Sequence, residues 1–394
     1  MTTPTTTQLS ESAQRLGFLI PDTTGRSLSS VLPGVAASLG VLDEAGRNEA
    51  AQQALGLAPA ERVCVVLVDG LGFENLSERS GHAPFLRSLL SDDAHLTCGF
   101  PSTTAVSMGI FGTGSSPGRT GMLGYTVRNP HTGVIANMVS WTGLGEPEAV
   151  QRETTVLEEI TAAGVAVTTV GPARFAQSGM TRAALRGGRY WVAESLADRV
   201  DAAAYELIQP GLVYLYWGDV DKVGHHEGAQ SWQWGDELEA ADREIARLAR
   251  ILPPGTRLVV TADHGMIDVD FSRRWDVAAV PGLSEGVKVV AGEPRAVHVY
   301  SRKASGAAAV ASRWRDVLGD GALVATRDEV IEAGWFGPVA DHVEAYIGDV
   351  IVAATGAGTI VDSRTQSAAS LTLRGVHGSL TPREMRIPFL TLTT

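Results

Sequence analysis

The chain has 394 residues, a formal net charge of −12, 44% hydrophobic residues and 19% charged ones. A chain of that size can bury a sizeable core. Its acidic balance, with no dense Lys/Arg block, excludes polymeric nucleic acid and anionic membrane as partners and leaves a small phosphorylated ligand open.

The first residues, MTTPTTTQLSESAQRLGF, hold neither a basic n-region nor an apolar h-region. No apolar run reaches the roughly 20 residues of a membrane-spanning helix. Only Cys64 and Cys98 are present, and Cys64 sits inside an apolar run. A disulfide framework is therefore not expected, and a cytoplasmic, reducing location is. Residues 1–30 are expected to be a flexible segment, and SLSSVLPGVAASLGV is expected to be a surface helix packed on the main domain.

From Arg62 the character changes. RVCVVLVDG is a continuous β-branched run closed by Asp69-Gly70, the pattern of a strand buried on both faces. It recurs in GVAVTTVGP, GLVYLYWGDVD and TRLVVTADHG. Helical stretches lie between these runs. TTVLEEITAAG has Thr155 three residues before Glu158, a capping-box spacing, and SWQWGDELEAADREIARLARIL is amphipathic and stopped by PPG. This alternation predicts an α/β fold, a doubly wound, mostly parallel sheet flanked by helices. Residues 31–270 and 360–394 form the expected core. Residues 271–359, with strand-like RAVHVYS and GDVIVAAT and helix-like GAAAVASRWRDVLG and TRDEVIEAG, form an expected α/β insertion.

In such a sheet ligands bind beyond the carboxyl ends of the strands, where this sequence places its acids. Asp69 ends the first strand, Asp221 and His225 follow the third in DKVGHHEG, Asp263-His264 end the fourth, and GVHG supplies His377. Each alone reads as a turn. Together they are carboxylate and imidazole ligands suited to zinc or a similar first-row ion, and numerous enough for two. FPSTTAVSMG then places Thr103 and Thr104 where a helix opens. A threonine hydroxyl is a poor nucleophile at neutral pH, which a nearby ion corrects, and a helix start aims backbone N–H groups at phosphoryl oxygens.

The ordered set VDG, FPSTTAVS, DKVGHHEG, TADHG and GVHG resembles the alkaline phosphatase superfamily and, within it, the nucleotide pyrophosphatase/phosphodiesterase branch. The resemblance implies a hydrolase of phosphodiester or pyrophosphate bonds with two divalent ions, both zinc or, as the alternative, manganese, and a phospho-threonine intermediate. It implies Thr104 as nucleophile, with Thr103 as the fallback. One metal would take Asp69, Thr104, Asp263 and His264, and the other Asp221, His225 and His377. Ser107 stands in the place of the branch's asparagine near the nucleophile, where a hydroxyl can still donate one hydrogen bond to substrate. That replacement opens the question of diester and nucleotide preference.

Phe73, Tyr125 and Arg128 are expected in loops rimming the cleft, Phe73 and Tyr125 as substrate contacts through stacking, against the alternative that they only pack the loops. Lys222 and Arg374 flank ligands and could meet a phosphate, or could simply be surface charges. His226 falls off the ligand spacing. SSPGR, Ser115–Arg119, matches a sulfatase nucleophile spacing but has the Gly/Pro density of a loop. A phosphomonoesterase or phosphomutase on the same scaffold, and a non-catalytic metal-binding protein, are the competing readings.

Overall fold

In the computed structural model, which describes residues 6–22 and 25–394, the main sheet has seven strands. Their order is His95–Thr97, Arg386–Thr393, Arg257–Thr261, Arg62–Val68, Gly211–Trp217, Val167–Gly171 and Arg189–Val192. Neighbours pair in parallel except at Arg386–Thr393, which runs antiparallel to both of its neighbours. The fold is the α/β, mostly parallel arrangement expected. Val63 to Val68 are all fully buried, because the strand lies mid-sheet with both faces covered.

Two corrections concern the N-terminal region. Residues 1–5 and 23–24 lie outside the described residues, but Thr6–Arg15 is helical, with Leu9 and Ala13 buried, and Leu28–Ser30 is a buried 3-10 turn. The expected flexible segment is thus structured over those stretches, since apolar positions four apart give the short helix a face to bury. The expected surface helix is also buried: every residue of Val31–Ser38 is inside. At Gly34 the missing side chain lets the helix Arg47–Leu55 close over it, a Cβ there lying 3.2 Å from the Ala51 backbone.

A second, antiparallel sheet is built in the order Val287–Gly292, Ala296–Ser301, Val350–Ala354 and Ala322–Thr326. The helix Ala307–Leu318 packs on it, and Trp314, Val299 and Val352 help form a separate apolar cluster. The fully buried Arg295 ties this layer to the main body. Its guanidinium reaches both carboxylate oxygens of buried Glu384 at 3.0 and 2.7 Å. The expected capping box of Thr155 with Glu158 forms, and so does a second, Thr326 with Glu329, that was not singled out from sequence.

Candidate metal centre and active site

The three strands that deliver acids are adjacent: Arg257–Thr261, Arg62–Val68 and Gly211–Trp217. Leu67 pairs with Thr261 and Val68 with Trp217. Two residues further on, that register brings Asp69 level with Asp263. The Asp69 N–H donates to the Trp217 carbonyl at 2.8 Å, and the Gly70 N–H to Asp263 Oδ1 at 3.0 Å. Gly70 has φ +72°, and a Cβ on it would lie 2.8 Å from that of Asp221. A side chain there would be strained and would push the two acids apart. Asp221 and His225 sit one turn apart on the helix Asp219–Glu227, so both face the same side.

Six of the expected ligands fall into two clusters, Asp69 with Asp263 and His264, and Asp221 with His225 and His377, each with its ligand atoms within 4.8 Å of one another. The His264 and His377 rings stack at 3.6 Å between centroids and join the clusters. Thr104 begins the helix Thr104–Thr113, and its Oγ1 lies 3.2 Å from His264 Nε2. The loops carrying Thr104 and His377 are laced together. Ser102 N–H donates to the Gly378 carbonyl at 3.0 Å, Gly378 N–H donates to Ser102 Oγ at 3.2 Å, and His377 Nδ1 donates to the Ser102 carbonyl at 2.8 Å.

The residues fit divalent ions on two counts. In each histidine Nδ1 is tied to a backbone carbonyl, Gly375 for His225, Gly265 for His264 and Ser102 for His377, which leaves Nε2 turned inward, the habit of metal-ligating histidines. In each acid one buried oxygen, Oδ1 of Asp69, Oδ1 of Asp221 and Oδ2 of Asp263, has no hydrogen-bond partner. Buried carboxylate oxygens are normally satisfied, so three orphans pointing into one place call for a cation.

Electrostatics say the same. Burial, followed by the charges of Asp263 and Asp221, pushes the Asp69 carboxyl well above the usual range, although the Tyr216 hydroxyl donates to it at 2.5 Å. Burial also works against the charge of Asp221, but His225 and the other imidazoles outweigh it and hold that carboxyl low. His225 is opposed by burial and raised to about 9 by Asp221, whereas burial, then His264, push His377 well below its ordinary value.

Beside the clusters opens a cavity of about 570 Å³, whose walls include Thr103, Thr104, Tyr125, Phe175, Met180, Lys222 and Glu293, with a polar strap from Asp362 to Ser370. Tyr125 reaches it, as expected. Phe73 does not: it packs on the core and against His95, ring centroids 5.1 Å apart. Ser107 does not either. It is fully buried, and its hydroxyl donates to the Asp263 carbonyl at 2.6 Å, so it braces a ligand segment and has no proton free for substrate. Lys222 and His226 line the cavity, Arg374 and Arg128 do not. Arg119 of the sulfatase-like stretch is bound to Glu153, and none of Ser115–Arg119 borders the cavity.

Three lining groups escaped sequence reading. Tyr216 and Phe175 carry no signal beyond position near a strand end. Glu293 has one that was available, an acid directly after a strand in VVAGEP. Burial pushes its carboxyl up to about 7, against hydrogen bonds from the Thr103 hydroxyl and the Tyr125 N–H.

Similarity to known proteins follows this layout. Residues 63–380 match the family model for type I phosphodiesterase / nucleotide pyrophosphatase. Over 114 residues the chain is 35% identical to a phosphopentomutase of Anaeromyxobacter sp. (strain K), a match that covers 28% of this chain and only 28% of that enzyme's length. Human ectonucleotide pyrophosphatase / phosphodiesterase 5 superposes with a TM-score of 0.67 at 18% identity, covering 84% of this chain and 87% of the other. Phosphonoacetate hydrolase from Sinorhizobium meliloti 1021, solved with phosphonoacetate, does so with 0.64 at 21% identity, over 84% and 90%. At those identities the superpositions speak to fold, and the family model to kinship. The chain belongs to the type I phosphodiesterase / nucleotide pyrophosphatase family, within the alkaline phosphatase superfamily.

Proposed function

We propose that the protein hydrolyses phosphodiester or pyrophosphate bonds of a small phosphorylated substrate, a nucleotide among the candidates, with two divalent ions and a phospho-threonine on Thr104. The observation that carries this reading is the convergence of three orphaned buried carboxylate oxygens and three inward Nε2 atoms beside a threonine hydroxyl at a helix start. Asp69, Asp263, His264 and Thr104 would hold one ion, zinc before manganese, and Asp221, His225 and His377 the other. When bound, such a pair lowers the pKa of a nearby hydroxyl and offsets charge on phosphoryl and leaving oxygens.

The chain's own part is positioning. Thr104 Oγ1 forms the new bond to phosphorus as the bond to the leaving alcohol or phosphate breaks, and that group departs with a proton. Water then attacks the phospho-threonine, returning the threonine hydroxyl and releasing the phosphorylated product. The start of the helix Thr104–Thr113 offers backbone N–H groups to the phosphoryl oxygens. Among the described residues lining the cavity no arginine appears and Lys222 is the single lysine, which favours a monoanionic diester over a dianionic monoester. A cytoplasmic location suits Cys64 and Cys98, both free and buried. No described helix is long and apolar enough to cross a membrane.

The second reading, a phosphomonoesterase or phosphomutase, is favoured by the phosphopentomutase match. Rates on bis(p-nitrophenyl) phosphate and p-nitrophenyl phosphate, with zinc-reconstituted protein and a chelated control, separate the two. A chelator-sensitive diester preference is expected. Monoester preference would select the second reading.

A further inference from the structure

We propose that Glu293 is a specificity-determining residue that reads substrate charge, its carboxylate disfavouring the dianionic phosphoryl group of a monoester relative to the monoanionic group of a diester. This rests on the diester reading above. Glu293 sits in the tight turn between the strands Val287–Gly292 and Ala296–Ser301, where its N–H donates to the Ala296 carbonyl at 2.8 Å. The residue is 7% exposed, and what remains open lines the same cavity as Thr104 and both ligand clusters.

Two contacts and one close approach aim it. Its Oε1 accepts the Tyr125 N–H at 2.6 Å, and the Thr103 hydroxyl, one residue before Thr104, hydrogen-bonds to its carboxylate. Gly378, next to His377, has φ +131°, and a Cβ there would lie 2.7 Å from that of Glu293, so the glycine lets the acid approach the ligand loop. Glu293 lines the same cavity wall as Asp69 of one cluster and Asp221, His225 and His377 of the other.

No Lys or Arg among the described residues forms an ion pair with Glu293. A buried acid at a phosphoryl site with no Lys or Arg partner is an expensive feature for mere packing, because burying a charge without a direct ion pair costs stability. It is the expected feature of a site that discriminates by repulsion. Like charges brought together at an interface cost enough to shift preference by a factor of about ten or more.

The test is Glu293→Gln, which keeps an acceptor for the Tyr125 amide and removes the charge. With zinc-loaded protein at pH 8.5, where the carboxyl raised to about 7 is ionised, the ratio of kcat/KM for p-nitrophenyl phosphate to that for bis(p-nitrophenyl) phosphate is expected to rise about tenfold or more. A second readout is binding: calorimetric Kd values of phenyl phosphate and diphenyl phosphate on Thr104→Ala protein with and without Glu293→Gln. Phenyl phosphate is expected to gain about tenfold relative to diphenyl phosphate. Equal changes for both ligands, as a purely structural role would give, overturn the proposal, as does failure to bind either. Should Glu293→Gln not fold, Glu293→Ala is read by the same two ratios. If the wild type turns over neither ester, the phosphodiesterase reading fails, and the binding ratio still decides the role of Glu293.

Discussion

The two candidate metal-binding clusters are built from the same residue types and differ in how their charge is met. Asp69, Asp263 and His264 are all buried, two carboxylates to one imidazole, with Asp69 pushed up by burial and by its acidic neighbours. Asp221, His225 and His377 reverse the ratio, and two of the three are only half-buried. Asp221 is held low because His225 Nε2 lies 3.3 Å from its carboxylate. In the first cluster the acids outnumber the imidazoles and are left uncompensated, while the second partly neutralises itself. The lesson is that ligand identity alone does not set a site's electrostatics: the number of imidazoles per carboxylate and the depth of burial do.

The comparison can be broken most sharply at Thr104. Thr104→Ala is expected to lower turnover of the preferred ester by about a thousandfold or more with both ions retained. Loss of under tenfold would remove the threonine from its role.

Asp221→Ala is expected to reduce metal content from two ions per chain to one, read by elemental analysis, with affinity at that site down by a factor of at least about 10–100. A mutant still holding two ions would show that Asp221 is no ligand.

The self-neutralising pair predicts a pH dependence in chelator-treated protein. His225 is raised in the fold to about 9 from 6.5. Its contribution is therefore fully present below pH 6.5 and lost as pH rises through about 9. Denaturant titrations should show a loss on the order of 2 kcal/mol across that window. His225→Gln should flatten the slope, and an unchanged slope would assign it elsewhere.

The smallest effect sharpens the contrast directly. In metal-free protein at pH 8, Asp69→Asn is expected to raise unfolding stability by about 1 kcal/mol by relieving repulsion, while Asp221→Asn lowers it by removing the partner of His225. Equal signs for the two variants would erase the distinction between the clusters.

Much of this candidate site was legible only as a set. Asp69, Asp221, His225, Asp263, His264 and His377 were all named from strand-end position and spacing, because a parallel strand announces itself by an apolar run and its end by a turn residue. Tyr125 was placed at the cleft rim as a loop aromatic, and it lines the cavity. Ser107 and Phe73 were misplaced because a side chain's direction depends on its partner: the Ser107 hydroxyl found the Asp263 carbonyl, 156 residues away, and Phe73 found the core. Glu293 was passed over because it follows a strand of the second sheet, away from the strand ends that carry the acids, and only the packing of the two layers brings it to Tyr125 and the cavity.

By itself, then, the sequence determined the α/β class, the main-sheet strands, the Thr155/Glu158 capping box and the strand-end stations of the candidate ligands, since propensity, periodicity and turn chemistry act over a few neighbouring residues. Only the tertiary structure decided that Val31–Ser38 is buried, that Arg386–Thr393 enters the sheet antiparallel beside Arg257–Thr261, that the ligands part into an acid-rich and an imidazole-rich cluster, and that Glu293 faces the cavity. Burial, register and charge partnership are settled between residues hundreds of positions apart, and no local pattern encodes which of them will meet.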